Sequence, residues 1–352
     1  MNKISKINVG AITLPDDSST YSMQLSAKLV TISSGHLKEN TEALLGTAGF
    51  EVLLACNFDK GAEDLSHTCA YTVAKGDVTL NGAQREAIMI VVRGTGDGEW
   101  YSNFDFSAAQ DDSSTFADNF LYAAEDVFMG AKDYIDESED PLIIVTGHSR
   151  GAACANLLGV LLTESYGSEN VYAYTFATPN TVKADSFDNI YTNIFNLINP
   201  NDIVPELPLH SWGYERAGVD IVLGTTDEAF AKKIQNAAEV IYEIAPTVTQ
   251  YYSERHSITS KGLSDEGITP FDLCMLLCST LTKSTESFMK EDDSAESGLS
   301  LDADTLSLLF ADNDFSSLSA LVLKLVHNNF ETGKKLLEEH LGTKYLELIL
   351  AS

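Results

Sequence analysis

"PLIIVTGHSRGAACANLLGV", residues 141–160, takes a short oily run straight through a glycine-flanked turn into a stretch of small residues. The run 142–146 is rich in β-branched side chains and short enough to be a strand buried on both faces. The small residues from Gly151 to Val160 read as a helix packed close against that strand. Between them, Gly147, His148, Ser149, Arg150 and Gly151 fit G-x-S-x-G, a weak pattern alone that gains meaning at the join of strand and helix. A serine here sits on a turn so tight that its backbone is strained, and glycines two residues to either side leave room for strand and helix to cross. The hydroxyl is forced out of the sheet, and the helix N-terminus aims its N–H groups at any negative charge that develops there. Arg150 enters through its main-chain N–H, with its side chain expected to face solvent.

Outward from this corner the chain alternates. Apolar, β-branched runs at 69–74, 87–92, 171–176 and 190–198 read as further buried strands, and helical patterns lie at 22–48, 116–136 and 150–166. That order predicts an α/β fold with a mostly parallel central sheet. From residue 264 no further strand of this kind appears. Thr269, Pro270 and Asp272 make a helix start, the acidic stretch "KEDDSAESG" at 290–298 reads as a linker, and more helices follow between 302 and 350. The expected organisation is one α/β domain over 1–263 and an all-helical C-terminal extension over 264–352, packed on it or appended to it.

Composition narrows the partners. With 22 Lys+Arg against 52 Asp+Glu the formal net charge is −30, which argues against nucleic acid and predicts weak or no binding to anionic membrane. The five cysteines, Cys56, Cys69, Cys154, Cys274 and Cys278, stand in apolar runs and read as buried thiols. No metal site is expected: Asp312 and Asp314 have the first two spacings of a calcium loop, but Ser317 replaces its glycine and Leu323 its final carboxylate. The first 20 residues hold two lysines and no apolar run of signal length, so the chain as given reads as cytoplasmic, or as secreted if its N-terminus was trimmed.

A serine at such a corner needs a base and an orienting acid, and on a sheet of this kind they follow it in the order acid, then histidine. Asp202 comes directly after the run 190–198, on a loop stiffened by Pro200, Pro205 and Pro208. Four histidines come later. His210 is too near the acid in sequence, while His327 and His340 lie in amphipathic helices where packing or surface roles are expected. His256, in "YYSERHSITS", is therefore the expected base. A second oxyanion donor is expected from Thr95, after Arg93 and Gly94 at the end of the run 87–92.

These residues give the chain a resemblance to the class 3 lipases, an α/β-hydrolase family that includes fungal triacylglycerol lipases and feruloyl esterases. It spans residues 65–262 and rests on Arg93-Gly94-Thr95, the Gly147–Gly151 turn, Phe176 to Pro179, "NDIVPELP" and "WGYERAG". The resemblance implies an α/β-hydrolase fold and a Ser149–His256–Asp202 triad, with Thr95 and Arg150 as the oxyanion hole. It also implies a lid over 96–108 that includes Gly96, Trp100, Tyr101 and Phe104. No cofactor is implied, and the substrate would be an acyl or lipid ester, hydrolysed through an acyl-enzyme. An acyltransferase, or a silent hydrolase fold used for binding, remains open at this point. Two features depart from the family pattern. "SITSKG" after His256 lacks the tyrosine often found just after the base, and the helical stretch 225–245, expected to pack on the core, separates acid from base.

Overall fold

The computed structural model describes residues 8–35, 37–58, 68–94, 118–202, 204–206, 210, 213–228 and 338–352 of the 352. Its strands are β1 (Ile12–Thr13), β2 (Phe50–Cys56), β3 (Tyr71–Leu80), β4 (Ala83–Val92), β5 (Leu142–His148), β6 (Val171–Phe176), β7 (Val182–Lys183), β8 (Ile194–Ile198), β9 (Tyr214–Glu215) and β10 (Val219–Val222). The helices are α1 (Met23–Ser33), α2 (Lys38–Thr47), α3 (Asp118–Asp136), α4 (Arg150–Tyr166) and α5 (Gly342–Ala351).

Among the described residues, eight strands form one sheet in the order β1-β3-β4-β5-β6-β8-β10, with β2 on β3. From β4 through β5, β6 and β8 to β10 every pairing is parallel, and antiparallel pairing is confined to β2–β3 and β3–β4. The β3–β4 hairpin turns on Asn81 (φ 53°) and Gly82 (φ 76°), the left-handed pair that matches the twist of two joined strands. A small antiparallel ribbon of β7 and β9 stands apart. This is the mostly parallel α/β architecture that the alternation of apolar runs predicts, and it fits the α/β-hydrolase fold that the resemblance implies.

The period of two along the central strands divides the core. Ile143 and Val145 face α3 and α4, whereas Leu142 and Ile144 face the layer of α1, α2 and α5. α1 begins at Ser22, whose hydroxyl accepts from Leu25 N–H at 3.2 Å and so caps the helix. Three boundaries differ from the sequence reading. The pattern at 22–48 is two helices, because the chain breaks after Ser34 and Gly35 sits where a Cβ would lie 2.6 Å from Thr41 Oγ1. The run 190–198 is strand only from Ile194. β2 was not anticipated, since an irregularity between Val52 and Leu54 disturbs its alternation.

The end of the chain is part of this core. Tyr345 and Ile349 of α5 are fully buried with Leu25, Leu29 and Ile32 of α1, on the sheet face opposite α3 and α4. The boundary expected at 263/264 lies outside the described residues; the last helix, α5, packs on the body. No helix among the described residues is long and apolar enough to cross a membrane.

Candidate active site

The site forms at the carboxyl ends of β4, β5, β6 and β8, where open α/β sheets characteristically gather their functional loops. Ser149 follows β5 with φ 59° and ψ −129°, a conformation that side-chain-bearing residues rarely adopt, and it is nearly inaccessible at 3% exposure. The surrounding glycines are sterically required. A Cβ on Gly147 would lie 2.5 Å from the carbonyl carbon of Gly151, one on Gly151 would lie 2.5 Å from Val92 O, and one on Gly94 would lie 2.6 Å from His148 O. Ser149 N–H donates to Phe176 O at 2.9 Å, and the Ser149 carbonyl accepts the Ala152 N–H at 2.8 Å, so the corner is tied to both β6 and α4.

Asp202 stands on the loop after β8 and is 1% exposed. Its N–H closes a turn on Asn199 O at 3.0 Å, and its Oδ1 accepts Val204 N–H at 3.0 Å. Arg216 braces this loop from behind. It is 5% exposed, reaches Pro205 O and, at 3.2 Å, Thr178 O, and forks onto Asp220 at 2.6–3.2 Å. The acid loop is thereby fixed to the chain leaving β6.

The third member comes from the chain's end. His340 places Nδ1 2.8 Å from Asp202 Oδ2 and Nε2 2.9 Å from Ser149 Oγ. A carboxylate only accepts, so Nδ1 carries the proton and Nε2 is left to receive the serine hydroxyl. The reading of His340 as a packing or surface residue is corrected by these contacts, and the place expected of His256 between acid and serine is taken by His340. His256 itself lies outside the described residues. The signal that would have found His340 is the tyrosine missing after His256: Tyr345 follows His340 and donates its hydroxyl to Asp202 Oδ2 at 2.9 Å. Burial, then the neighbouring Asp202 charge, hold the Tyr345 phenol well above its ordinary range, so it is a neutral donor. It also accepts Asn199 N–H at 3.2 Å.

Arg150 differs from expectation as well. Its side chain is buried at 4% exposure and donates to Thr68 O at 3.2 Å and toward Cys69 Sγ at 3.5 Å. Its main-chain N–H opens α4 directly after Ser149, where helix N–H groups are turned toward developing negative charge. Cys69 and Cys154 are buried thiols in mutual contact under this corner. The hydrogen bond from Cys154 chiefly, then the Arg150 and Arg93 charges, bring Cys69 down to about 7 against the opposing effect of burial. Thr95 and the lid residues Gly96, Trp100, Tyr101 and Phe104 lie outside the described residues, as do Cys274, Cys278, Asp312, Asp314 and the stretch 225–245 beyond Glu228. Among the described residues no group of three or more His, Cys, Asp or Glu could hold a metal ion.

A strained serine at a strand–helix corner, hydrogen-bonded to an imidazole that is in turn held by a carboxylate, fits the α/β-hydrolase fold. Residues 89–212 match the family described as Lipase (class 3). Over 100 residues the chain is 30% identical to the secreted mono- and diacylglycerol lipase A of Penicillium cyclopium, and equally to that of Penicillium camembertii. That stretch is 28% of this chain and 33% of each relative, so the chain spans about a third of the length of the curated relatives it matches. Among solved structures it is similar to the native Rhizomucor miehei lipase propeptide complex, with 21% identity, TM-score 0.46 and coverage of 60% of this chain and 71% of that one.

Proposed function

We propose that the protein is a serine carboxylester hydrolase acting on acyl or lipid esters, with Ser149 as nucleophile, His340 as general base and Asp202 as the orienting acid. The observation that carries this is the imidazole of His340, bridging Ser149 Oγ at 2.9 Å and Asp202 Oδ2 at 2.8 Å. In this reading His340 Nε2 takes the serine proton as Oγ attacks the ester carbonyl, and Asp202 stabilises the imidazolium that forms. The same proton is returned to the departing alcohol, leaving an acyl-enzyme. Water, activated by the same imidazole, then releases the acid. The Arg150 N–H at the start of α4 supports the tetrahedral oxyanion, and Thr95 is proposed as the second donor on the basis of its place in the sequence.

The relatives are named mono- and diacylglycerol lipases, which supports partial glycerides as the first substrates to try. Both are also named as secreted, which favours an extracellular place of action, tested by finding the protein in the medium of the cells that make it. The deciding experiment compares Ser149→Ala, His340→Ala and His256→Ala for release of p-nitrophenol from short and long acyl esters and for labelling by a fluorophosphonate. The first two should abolish hydrolysis, because a triad acts as a unit, and His256→Ala should retain it. Full activity in His340→Ala, with loss in His256→Ala, would restore the assignment read from the sequence. Product analysis with added alcohol separates a hydrolase from an acyltransferase.

A further inference from the structure

The base is delivered by a segment whose seating is set by two buried side chains of the body. His148 Nε2 lies 2.9 Å from the carbonyl oxygen of His340, and Asn199 Nδ2 lies 2.8 Å from the carbonyl oxygen of Glu339. A carbonyl only accepts, so both contacts are donations from the body to consecutive backbone oxygens of the tail. His148 is 3% exposed and Asn199 fully buried, so neither donor can trade its partner for bulk water without exposing the site. The His148 ring also lies 4.9 Å from the His340 ring at 47°, and meets the Tyr345 ring edge-on at 5.9 Å. His148 belongs to the corner that holds Ser149, and Asn199 to the loop that holds Asp202.

We propose that His148 and Asn199 are positioning residues that clamp the Glu339 and His340 carbonyls and thereby set the imidazole against serine and carboxylate; this rests on the assignment of His340 as the base. The geometry explains why two points are needed. One donor on a single carbonyl leaves the backbone free to swing about that contact, whereas donors on two successive carbonyls fix both the height and the rotation of the peptide between them. The clamp ties each body contact to a different member of the site. His148 sets the distance from the imidazole to Ser149, and Asn199 sets the distance to Asp202. Asn199 Nδ2 also reaches Glu339 Oε2 at 2.8 Å, and Lys344 lies 3.6 Å from Glu339 Oε1, so the Glu339 side chain fastens the same joint from outside.

The test uses the full chain with three substitutions. His148→Phe keeps a ring beside His340 but removes the donor, His148→Gln restores an N–H donor at similar reach, and Asn199→Asp removes the second donor while keeping the side-chain size. His148→Phe and Asn199→Asp should each lower kcat about 10- to 100-fold with KM nearly unchanged, because a base displaced by about 1 Å loses rate rather than binding. His148→Gln should recover most of that loss. The imidazole N–H that His340 gives to Asp202 provides a second readout, independent of ester turnover: its downfield proton resonance should be present in the wild type and His148→Gln and broadened or lost in His148→Phe and Asn199→Asp. If either donor-free variant keeps kcat within threefold with the resonance intact, the clamp is refuted. It is equally refuted if His148→Gln loses as much rate as His148→Phe, since the ring alone would then matter. A resonance that follows this pattern in variants of a chain with no esterase activity would uphold the clamp and reject the hydrolase reading, so the two failures are separable.

Discussion

Gly342 is one residue at which the tail meets α1, and enlarging it should uncouple the proposed base from the proposed nucleophile without touching either. α5 starts at Gly342, two residues after His340, and packs directly over Ser34 at the end of α1. A methyl group on Gly342 would overlap Ser34 Oγ outright and stand 2.9 Å from Ser34 Cβ. Carbon atoms in contact rest at about 3.5–4.0 Å, so the start of α5 must withdraw by roughly 1 Å or Ser34 must give way. Ser34 is poorly placed to yield, since it is buried and its hydroxyl donates to Val30 O at 2.6 Å. Gly342→Ala should therefore cost about 1–3 kcal/mol of stability as overpacking, and the same shift carried to His340 should lower kcat about 100-fold.

The assay is kcat and KM on a soluble ester, together with the rate of fluorophosphonate labelling at Ser149, in a double-mutant cycle with Ser34→Gly. Removing the Ser34 side chain takes away both clashing atoms, so Ser34→Gly/Gly342→Ala should recover most of the rate, with a coupling of about 1–3 kcal/mol between two sites that never touch substrate. If Gly342→Ala retains kcat within threefold, or the double variant is merely the sum of its parts, α5 does not hold the base through this contact.

Tyr345→Phe leaves Asp202 without one of its donors and should cost about 1.5–3 kcal/mol of stability, read from the urea midpoint, with a smaller loss in kcat than Asp202→Asn; an unchanged midpoint would mean that the phenol contributes packing alone. The raised ionisation of Tyr345 makes stability fall at high pH: a tyrosine whose folded value is raised contributes fully below its unfolded value of about 10 and loses that contribution as pH climbs toward the folded one. The urea midpoint should accordingly drop from pH 9 to pH 11, and less so in Tyr345→Phe; a midpoint flat over that window would contradict the burial. Arg216→Ala strands the carbonyls of Thr178 and Pro205 in the interior, at about 1–3 kcal/mol each, and should lower both the melting temperature and kcat by loosening the acid loop; a variant that melts early yet keeps kcat would limit Arg216 to a stabilising role.

The sequence makes the centre of the sheet legible because β5, β6 and β8 are buried throughout, so that their residues are mostly apolar and the runs stand out. The corner at Ser149 is legible for a related reason. Its glycines answer to backbone atoms at 2.5–2.6 Å, a constraint that leaves no other residue type available. His340 had no such steric mark, only the tyrosine five residues after it. It is 138 residues from Asp202 and 191 from Ser149, on a helical stretch whose polar and apolar positions serve packing equally well. Distance along the chain hides a contact that depends on which helix returns to which face. The burial of Arg150 escaped the sequence for the opposite reason: an arginine beside a glycine at a turn ordinarily reaches water, whereas here the Thr68 carbonyl and the Cys69 thiol below the corner draw it inward.

Placing the proposed base two residues before α5 has a thermodynamic consequence. Ser149 and Asp202 are fixed by the sheet itself, through Phe176 O and the turn after β8, whereas His340 reaches them only while α5 lies on α1. Local undocking of a single helix is a separate equilibrium from global unfolding, with its own free energy. The competent fraction of molecules is then the docked fraction. An opening free energy of about 1.4 kcal/mol would leave about one molecule in ten without its base, and each further 1.4 kcal/mol would reduce that share tenfold. Tyr345 and Ile349 are consequently under two demands at once, filling the face of the sheet and keeping His340 in register. That coincidence accounts for Tyr345 lying wholly in the core while its hydroxyl ends on the carboxylate that orients the base.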